Sequence, residues 1–591
     1  MLKKAIPLVL LASIITGFIV LYAQLIEPAV LGFIHDDGIY AVLAKSLAEG
    51  HGYRLLHLIG EPYEVKYPFF YPAVLSVVWR FFPQFPENLV ALSWVSIVCS
   101  ALSMVVFVYY CRSIKKLPWI LTLGILICAF SNFYALFFYT VTMSEALYLL
   151  LSLATIVLAE KLITLDHSPA SAENTVQVSK PLSWQKHWLP WLGLIVLSDL
   201  CCLTRLLGVA VVGSIVLCLL FLKRFKAAVA YGGVVFFTSI LPWLLWVKAH
   251  TASVTDLNLP ITKPYANYGA EFFNQMATGK YWVSIQNALF MLIEKLTETT
   301  MPLLNNMPKT LAWLNLDLSH PGVNIAESVL SHLFFGYLIL LGVQALNRFI
   351  RQSQSYKPAL SISGVYVILY CVLIVMWNYA DQMARFLIVI APLVWVIAVQ
   401  PLSLIMSRKP VVTIHFQKKT FWKNNLKLKQ WVAAAVLVAM FFSGVWLNTG
   451  GERRLRQSRL EHWVEDGKYP WLWQEYKQTF AWINQNLPKA SRLAVSSDVL
   501  FYLYTQHPTL YVFFASLKYT NDKPAPNAIP LLLKSFEHYG IAYLVVEPHL
   551  QMRTVMAKEN LIMHLLRHEF PERFKKIYQS PRGAIKIYKL V

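Results

Sequence analysis

Charged side chains are scarce in this sequence: Asp, Glu, Lys and Arg make up 14% of its 591 residues, against 57% hydrophobic residues. A soluble globular protein carries about a quarter of its residues as charged side chains. The composition therefore excludes an ordinary soluble protein and predicts a polytopic membrane protein with a soluble part.

Acidic residues are the scarcer charged type, with 31 Asp and Glu against 52 Lys and Arg, which gives a net charge of +21. A basic excess of this size can indicate a nucleic-acid partner. The Lys and Arg residues cluster, however, in short segments between apolar runs, which is the pattern that orients a membrane protein in its bilayer. We therefore expect membrane lipids, and no nucleic acid, around this chain.

Cysteines are few and ungrouped. None of the seven shows CxxC spacing or a His partner, so the sequence predicts neither a metal site nor a disulfide framework, and no cofactor. All of them lie in or at the edge of apolar runs: Cys99, Cys111, Cys128, Cys201, Cys202, Cys218 and Cys371.

Long apolar runs, in contrast, are abundant. A helix needs about 20 apolar residues to cross a bilayer, and about eleven runs approach that length. The first run is too long and too poorly terminated for a cleaved signal, so we expect it to remain as an anchor. The predicted spans lie near residues 5–23, 89–111, 117–139, 146–164, 188–204, 206–222, 227–248, 326–346, 359–378, 385–406 and 431–449.

Basic segments between these runs predict the topology. They all fall on one side of the membrane, which the positive-inside rule makes the cytoplasmic side of a bacterial inner membrane. The loops at about 24–88 and 249–325, and everything after residue 450, are then extracytoplasmic. The basic segments are Lys3 and Lys4 near the N-terminus, and residues 111–116, 223–226, 347–357 and 408–429.

The tail differs from the rest of the chain. Residues 469–488 and 530–540 have helical periodicity, the second closed by Gly540, while "RLAVSS" and "AYLVVEP" resemble short strands. Alternating helices and strands predict a small α/β domain over 450–591, beside a membrane region over 1–449. Because the tail holds no cysteine and no recognisable catalytic motif, we expect it to be a structural or acceptor-docking cap.

Two adjacent acids, Asp36 and Asp37, follow the first apolar run in "HDDGIYAVLAKSLAEG". They precede a run with helical spacing, so both could simply cap the helix and complement its dipole. One acid is enough for capping. If Asp37 caps, Asp36 projects above the membrane with Tyr40 one turn along on the same face. There Asp36 could accept a proton, with its pKa raised in a partly desolvated pocket.

Further charges lie at the same predicted outer surface. Lys66 precedes an aromatic, proline-flanked segment and is either an interfacial lysine that snorkels or a phosphate ligand. Glu145, Arg205, Asp381 and Arg385 stand at the outer ends of predicted spans, where isolated charges are costly. Together with Asp36 they predict one extracytoplasmic site that holds carboxylates and two or three cations.

These stretches resemble a known family. "HDDGIYAVLAKSLAEGHGYR" with "GEPYEVKYPFFYPAVL" resembles the first external loop of the GT-C glycosyltransferases, which include protein O-mannosyltransferases and the aminoarabinose transferases that modify lipid A. "MSEALY", "TRLLG" and "RFLIVIAP" resemble later signatures of the same group. "DD" stands here where "DE" is commoner, and "KYPFFYP" departs from the "KPP" of the aminoarabinose transferases, so the sugar is left open.

The resemblance implies a GT-C fold and a polyprenyl-phosphate-sugar donor, from which the sugar is transferred with inversion to a lipid, glycan or protein acceptor. Asp36 is the candidate base, with Asp37 as its catalytic neighbour, and Glu145 could orient the acceptor or a cation. Lys66, Arg205, Arg385 and Tyr40 are the candidate groups at the donor phosphate. Such cations stabilise the charge that develops on a departing phosphate, and Arg can do so with two hydrogen bonds.

Other functions use similar charges. A transporter or flippase of lipid-linked sugars would more often show half-repeats and broken helices at the membrane midplane. A glycan polymerase or ligase would share the topology but use a diphosphate donor. A non-catalytic assembly factor would leave the clustered acids and cations unexplained.

Overall fold

The computed structural model of the chain describes residues 2–26, 31–32, 35–165, 184–251, 267–269, 281–300, 336–337, 340, 361–377, 383–406, 471–512, 519–520, 523–524, 528–547 and 570–591. The predicted span at 431–449, all of the predicted span at 326–346 except residues 336–337 and 340, and the candidate residue Asp381 lie outside these residues. So do residues 407–470, and the division of the chain at residue 450 therefore remains a prediction.

The first part of the chain is helical. Among the described residues, four helices are long and apolar enough to cross a membrane: Ile6–Gln24, Leu89–Ile114, Glu145–Ile163 and Phe225–His250. Shorter apolar helices lie between them. The helices are α1 Leu2–Gln24, α2 Asp36–Ala48, α3 Phe70–Phe81, α4 Leu89–Tyr109, α5 Trp119–Phe130, α6 Phe133–Phe138, α7 Glu145–Leu165, α8 Trp184–Thr204, α9 Val209–Phe221, α10 Phe225–Val235, α11 Leu241–His250, α12 Tyr281–Thr300, α13 Ile362–Trp377, α14 Met383–Leu387 and α15 Ala391–Met406.

Two helices carry a π-helical turn. Tyr110–Ile114 extends α4, and Phe236–Ile240 joins α10 to α11, so that the predicted span at 227–248 is one continuous helical segment. The π-turn at 236–240 contributes to the wall of the cavity described below. Such turns are rare in α-helices and occur often at functional sites.

Two predicted spans are interrupted, which corrects the sequence analysis. The run at 117–139 is divided into α5 and α6, because the side chain of Asn132 accepts a hydrogen bond from the Tyr134 amide at 2.8 Å and so begins a new helix. The run at 385–406 is likewise divided into α14 and α15, with a turn at residues 388–390. Because of the second break, α14, which carries Arg385, is a separate short segment. It lies beside the loop at about 24–88, which is called the external loop below.

The external loop contains a helix that was not predicted. The segment after Pro68 forms α3, whose inner face buries Tyr71, Leu75 and Trp79. Its outer face exposes Val77 and Phe81. The helix packs mainly on α2, and the two together carry the start of the predicted site.

The predicted small α/β domain in the tail is present. Its helices are α16 Trp471–Asn486, α17 Asp498–Thr505 and α18 Ala528–His538, and its strands are β1 Leu493–Val495, β2 Thr509–Tyr511, β3 Tyr519–Thr520, β4 Lys523–Pro524, β5 Tyr543–Val546, β6 Phe574–Gln579 and β7 Lys586–Leu590. Five strands form a sheet in the order β2-β1-β5-β7-β6. β1 is parallel to β2 and β5, whereas β7 is antiparallel to β5 and β6.

The external loop and the tail domain pack on each other. Leu58 forms a parallel bridge with Thr509 of β2, the strand at the edge of the sheet. Val499, Tyr502 and Leu503 of α17 belong to the same buried apolar cluster as the helices of the membrane region. The first turn of α2 therefore lies between the membrane region and the tail domain.

Candidate active site

Asp36, the first residue of α2, is held from two directions. Its Oδ1 accepts a hydrogen bond from the Tyr67 hydroxyl at 2.6 Å, and its Oδ2 accepts one from Arg385 Nη1 at 2.6 Å. These partners come from the external loop and from α14, far apart in sequence. The fold thus brings together the predicted base and one of the predicted phosphate ligands.

The electrostatics of Asp36 differ from the prediction. We expected a raised pKa, and burial alone would raise it, but Arg385, the Tyr67 hydroxyl and His35 together lower the pKa of Asp36 to about 2. A carboxylate paired with a cation is stabilised in its charged form. Asp36 is therefore ionised in this structure, and the prediction of a raised pKa is wrong.

Asp37 lies inside the first turn of α2 rather than at its N-cap position. The position before the helix is occupied by His35, which has a φ of 70° and makes no side-chain capping bond. The buried Asp37 carboxylate instead accepts a hydrogen bond from the Gly32 amide at 2.9 Å and so closes the turn that leads into the helix. Burial raises the pKa of Asp37 to about 7. The expected division of pKa values between the two acids is thus reversed.

Glu145, at the start of α7, joins the two arginines. Its Oε1 accepts hydrogen bonds from Arg205 Nη1 at 2.6 Å and from Arg385 Nε. Arg205 Nη1 also donates to Ser144 Oγ at 2.9 Å. All three charged side chains are buried. A buried acid between two cations compensates part of their mutual repulsion and fixes both guanidinium groups, which fits the predicted role of orienting a cation.

Arg205 owes its position to a break in the helix. Its backbone is extended, with φ of −149° and ψ of 139°, between α8 and a 3₁₀ turn at Leu206–Gly208. The turn folds tightly against the end of α8, since a Cβ atom on Gly208 would lie 2.5 Å from the Cys202 amide nitrogen. Only glycine therefore fits at 208, and the "TRLLG" stretch builds the corner that aims Arg205 inward.

Lys66 is positioned by its own loop. The buried carboxylate of Glu64 accepts hydrogen bonds from the backbone amides of Lys66 and Tyr67, the latter at 3.0 Å. The Lys66 ammonium lies 5.3 Å from the ring centre of Tyr268, within the range of a cation–π contact. This loop geometry places the Lys66 side chain on the same side of the site as Tyr67.

Tyr40 lies one turn along α2, as predicted. Its hydroxyl is 3.2 Å from Ser144 Oγ, and its ring makes edge contacts with the rings of Tyr67 and Tyr71. Tyr67 and Ser144 were not singled out by the sequence analysis. Tyr67 stood in the quoted "KYPFFYP", but nothing in its spacing indicated that its hydroxyl would reach Asp36.

These side chains surround a cavity of about 330 Å³. Of the predicted residues, Asp36, Tyr40, Lys66, Arg205 and Arg385 line it, while Asp37 and Glu145 do not. The remaining wall is largely apolar and comes from the helices of the membrane region: Cys202, Leu206, Leu207, Val209, Ile240, Trp243, Leu244, Leu373, Ile374 and Phe386.

The cavity wall thus combines three cations and a carboxylate with aliphatic and aromatic side chains, a combination suited to a ligand with an anionic head and an apolar chain. Among the residues that the structure describes, no three His, Cys, Asp or Glu side chains form a group that could hold a metal ion.

Solved structures share this architecture. ArnT from Cupriavidus metallidurans, in a structure bound to undecaprenyl phosphate, matches with a TM-score of 0.53 over 99% of this chain and 98% of that chain, at 11% sequence identity. The oligosaccharyltransferase AglB from Archaeoglobus fulgidus, in complex with an inhibitory peptide and a dolichol-phosphate, matches with a TM-score of 0.52 over 98% of this chain and 74% of that chain, at 10% identity.

Both of these proteins are members of the GT-C superfamily. The predicted GT-C resemblance is therefore confirmed for the fold. No protein-family model and no curated protein sequence matches the chain.

Proposed function

We propose that this protein is a glycosyltransferase that moves a sugar from a polyprenyl-phosphate-linked donor to a lipid, glycan or protein acceptor, with inversion. The observation that carries the proposal is the cavity whose wall combines Asp36 and three cations with apolar side chains of the membrane region. The fold is shared with proteins whose structures contain undecaprenyl phosphate or dolichol-phosphate, which supports a donor of this chemical class.

The cations would hold the donor phosphate. Arg205 and Arg385 can each make two parallel hydrogen bonds to phosphate oxygens, while Lys66 supplies a point charge from the opposite loop. Because negative charge grows on the leaving phosphate as the bond to the sugar breaks, fixed cations there lower the barrier. Glu145 acts behind the arginines as a positioning residue, and Tyr40 adds a hydroxyl at the cavity wall.

Donor binding would also activate Asp36. A phosphate that engages Arg385 competes with the Asp36 carboxylate for the same guanidinium, and loss of this partner removes the main interaction that lowers the Asp36 pKa. Asp36 then takes the proton of the acceptor hydroxyl as its oxygen attacks the anomeric carbon. The bond from that carbon to the phosphate oxygen breaks, and the polyprenyl phosphate leaves with the bonding electrons.

Topology follows from the basic segments. The N-terminus would be cytoplasmic, and the cavity and the tail domain would face the outside of a bacterial inner membrane, where an outer-leaflet donor can reach the apolar side of the cavity. Asp37, which the cavity does not expose, would support the turn that carries Asp36 rather than contact the substrates.

The test uses the purified protein in lipid nanodiscs with a panel of labelled donors. We expect a polyprenyl-phosphate sugar to be consumed with release of polyprenyl phosphate once an envelope extract supplies the acceptor. Consumption of a polyprenyl-diphosphate donor alone would instead favour a polymerase or ligase. Movement of intact donor across a liposome bilayer, with no release of polyprenyl phosphate, would favour a flippase.

A further inference from the structure

The tail domain reaches the site through one buried acid, Asp498, the first residue of α17. Its Oδ1 lies 3.4 Å from His35 Nε2, and its Oδ2 lies 3.5 Å from His57 Nε2. The Asp498 side chain is fully buried. One carboxylate of the tail domain thus holds two histidines of the external loop, and His35 is the residue directly before Asp36.

Further hydrogen bonds hold both sides of this contact, the external loop and the tail domain. The carbonyl oxygen of His57 accepts hydrogen bonds from the Thr509 amide at 2.8 Å and from the Thr509 hydroxyl at 2.7 Å, so the loop adds to the edge of the β2 strand. On the domain side, the carboxylate of Glu547 accepts hydrogen bonds from the amides of Ser496 and Ser497 at 3.0 and 2.6 Å, which fixes the turn before Asp498.

His35 needs this external support. Its positive φ of 70° is unfavourable for a residue with a side chain, and no local capping bond compensates for it. The tail domain contributes two contacts that hold it: the Asp498 carboxylate and the ring of Tyr511, whose centre lies 5.3 Å from the imidazole. The conformation that directs Asp36 into the cavity is therefore maintained from outside the helix.

Close packing leaves little room for another arrangement. A Cβ atom on Gly38 would lie 2.6 Å from Val499 Cγ1, and one on Gly32 would lie 3.2 Å from Leu500 Cβ. The first turn of α2 and the first turn of α17 are thus in direct contact over the pair of acids.

We propose that Asp498 is a positioning residue for Asp36: by holding His35 and His57, the tail domain sets the start of α2 and hence the direction of the base. The inference rests on the proposed function for its catalytic consequence, but the positioning itself is a property of the fold. It gives the tail domain a part in the reaction beyond that of a cap.

Two measurements on the full-length protein in nanodiscs test this proposal. The first is hydrogen exchange at Ile39, whose amide bonds to the His35 carbonyl at 3.0 Å and so reports on the first turn of α2. Asp498→Asn keeps the side-chain volume but removes the negative charge that lies beside the two imidazoles, and we expect exchange at Ile39 to become at least about tenfold faster. Thr509→Val, which removes only one bond to His57, should accelerate it less.

The second measurement is transfer from a polyprenyl-phosphate sugar. For Asp498→Asn we expect kcat to fall about tenfold with KM nearly unchanged, because the base is displaced while the phosphate-binding cations are not. Combined with Asp36→Asn, the Asp498 change should add almost nothing, since it acts only through Asp36. Glu537→Gln is the matched control, because it removes an exposed tail-domain ion pair with Arg573 and should change neither measurement.

The outcomes are distinguishable. Exchange at Ile39 that stays at the wild-type rate in both Asp498→Asn and Thr509→Val overturns the proposal whether or not the protein transfers sugars. Faster exchange with an unchanged kcat, or a loss that is fully additive with Asp36→Asn, also overturns it. A wild-type protein that releases no polyprenyl phosphate refutes the proposed function and leaves the exchange result to decide on the positioning.

Discussion

At the scale of single residues, the site is a chain of alternating charges. Asp36, Arg385, Glu145 and Arg205 follow one another through hydrogen bonds, and each buried charge has an opposite neighbour. A buried charge without such a partner would be strongly unfavourable. A phosphate that binds the arginines must therefore compete with the two acids for them.

The first residue-scale prediction concerns Arg205. Arg205→Lys keeps the charge but loses the planar guanidinium, whose Nη1 bonds both Ser144 and Glu145 and whose other nitrogens can donate to a phosphate. We expect kcat/KM for the lipid-linked donor to fall at least about tenfold, measured by release of polyprenyl phosphate. The exposed Arg573→Lys is the matched control and should have no effect. Wild-type turnover in both Arg205→Lys and Arg205→Ala would make Arg205 a purely structural residue.

The second prediction concerns Asp37 and pH. Its pKa is raised from the ordinary value to about 7, so between about pH 4 and pH 7 the folded protein binds the proton that the unfolded chain releases. Below about pH 4, Asp37 makes its full contribution to the free energy of unfolding. This contribution is lost as the pH rises through 7. Asp37→Asn, which stays neutral and can still accept from the Gly32 amide, removes that loss.

Thermal melting should therefore show Asp37→Asn to be more stable than wild type at pH 8, by about 1 °C for each kcal/mol gained in a chain of this length. The advantage should shrink towards pH 5, and much of the transfer activity should remain. An offset between the two melting temperatures that is constant from pH 5 to pH 8 would contradict the shifted pKa.

At the scale of elements, the first turns of α2 and α17 pack so closely that an added side-chain atom would clash. Gly38→Ala should raise the intrinsic helix propensity of α2, yet its new Cβ would meet Val499 at 2.6 Å. We expect the clash to dominate, lowering the melting temperature and reducing transfer. Gly17→Ala in α1, where no atom lies within 4 Å of the added Cβ, is the matched control. A Gly38→Ala protein with native stability and activity would show that this contact is not required.

The helices also show which parts of the fold could be predicted from the sequence alone. Apolar run length predicted the membrane helices around α4, α7 and α8, and periodicity predicted α16 and α18 in the tail, because both signals are local. The breaks at Asn132 and at residues 388–390 were missed, since a single side-chain bond or a turn interrupts a run whose hydropathy does not change. α3 was missed because Pro68, Pro72 and the aromatic residues between them suggested an irregular loop.

Some residues of the candidate site could likewise be predicted from the sequence, and others could not. Asp36, Tyr40, Lys66, Arg205 and Arg385 were selected from motifs and from the cost of charges at span ends, and the fold brings them around one cavity. The partners Tyr67 and Asp498 could not be selected, because their contacts with Asp36 and His35 join segments that only the tertiary fold brings together. The pKa values of the two acids were misassigned for the same reason, as they depend on Arg385 and on burial.

At the scale of the whole molecule, the proposal depends on the side of the membrane that the cavity faces. A periplasm-active reporter fused after Val591 should be active, and a cytoplasm-active one silent, because the basic segments place the tail domain outside. A fusion active only in the cytoplasm would reverse the topology and place the cavity on the wrong side for an outer-leaflet donor.

Single-turnover transfer by wild type and Asp36→Asn, compared on the same polyprenyl-phosphate sugar, tests the central claim most directly. The asparagine keeps the shape of the side chain but cannot take a proton, and a positioned general base contributes about 10²–10⁴-fold. We therefore predict that Asp36→Asn melts like the wild type, still binds donor and transfers about 10²–10⁴-fold more slowly. A stable Asp36→Asn protein that transfers sugar at nearly the wild-type rate would contradict the account.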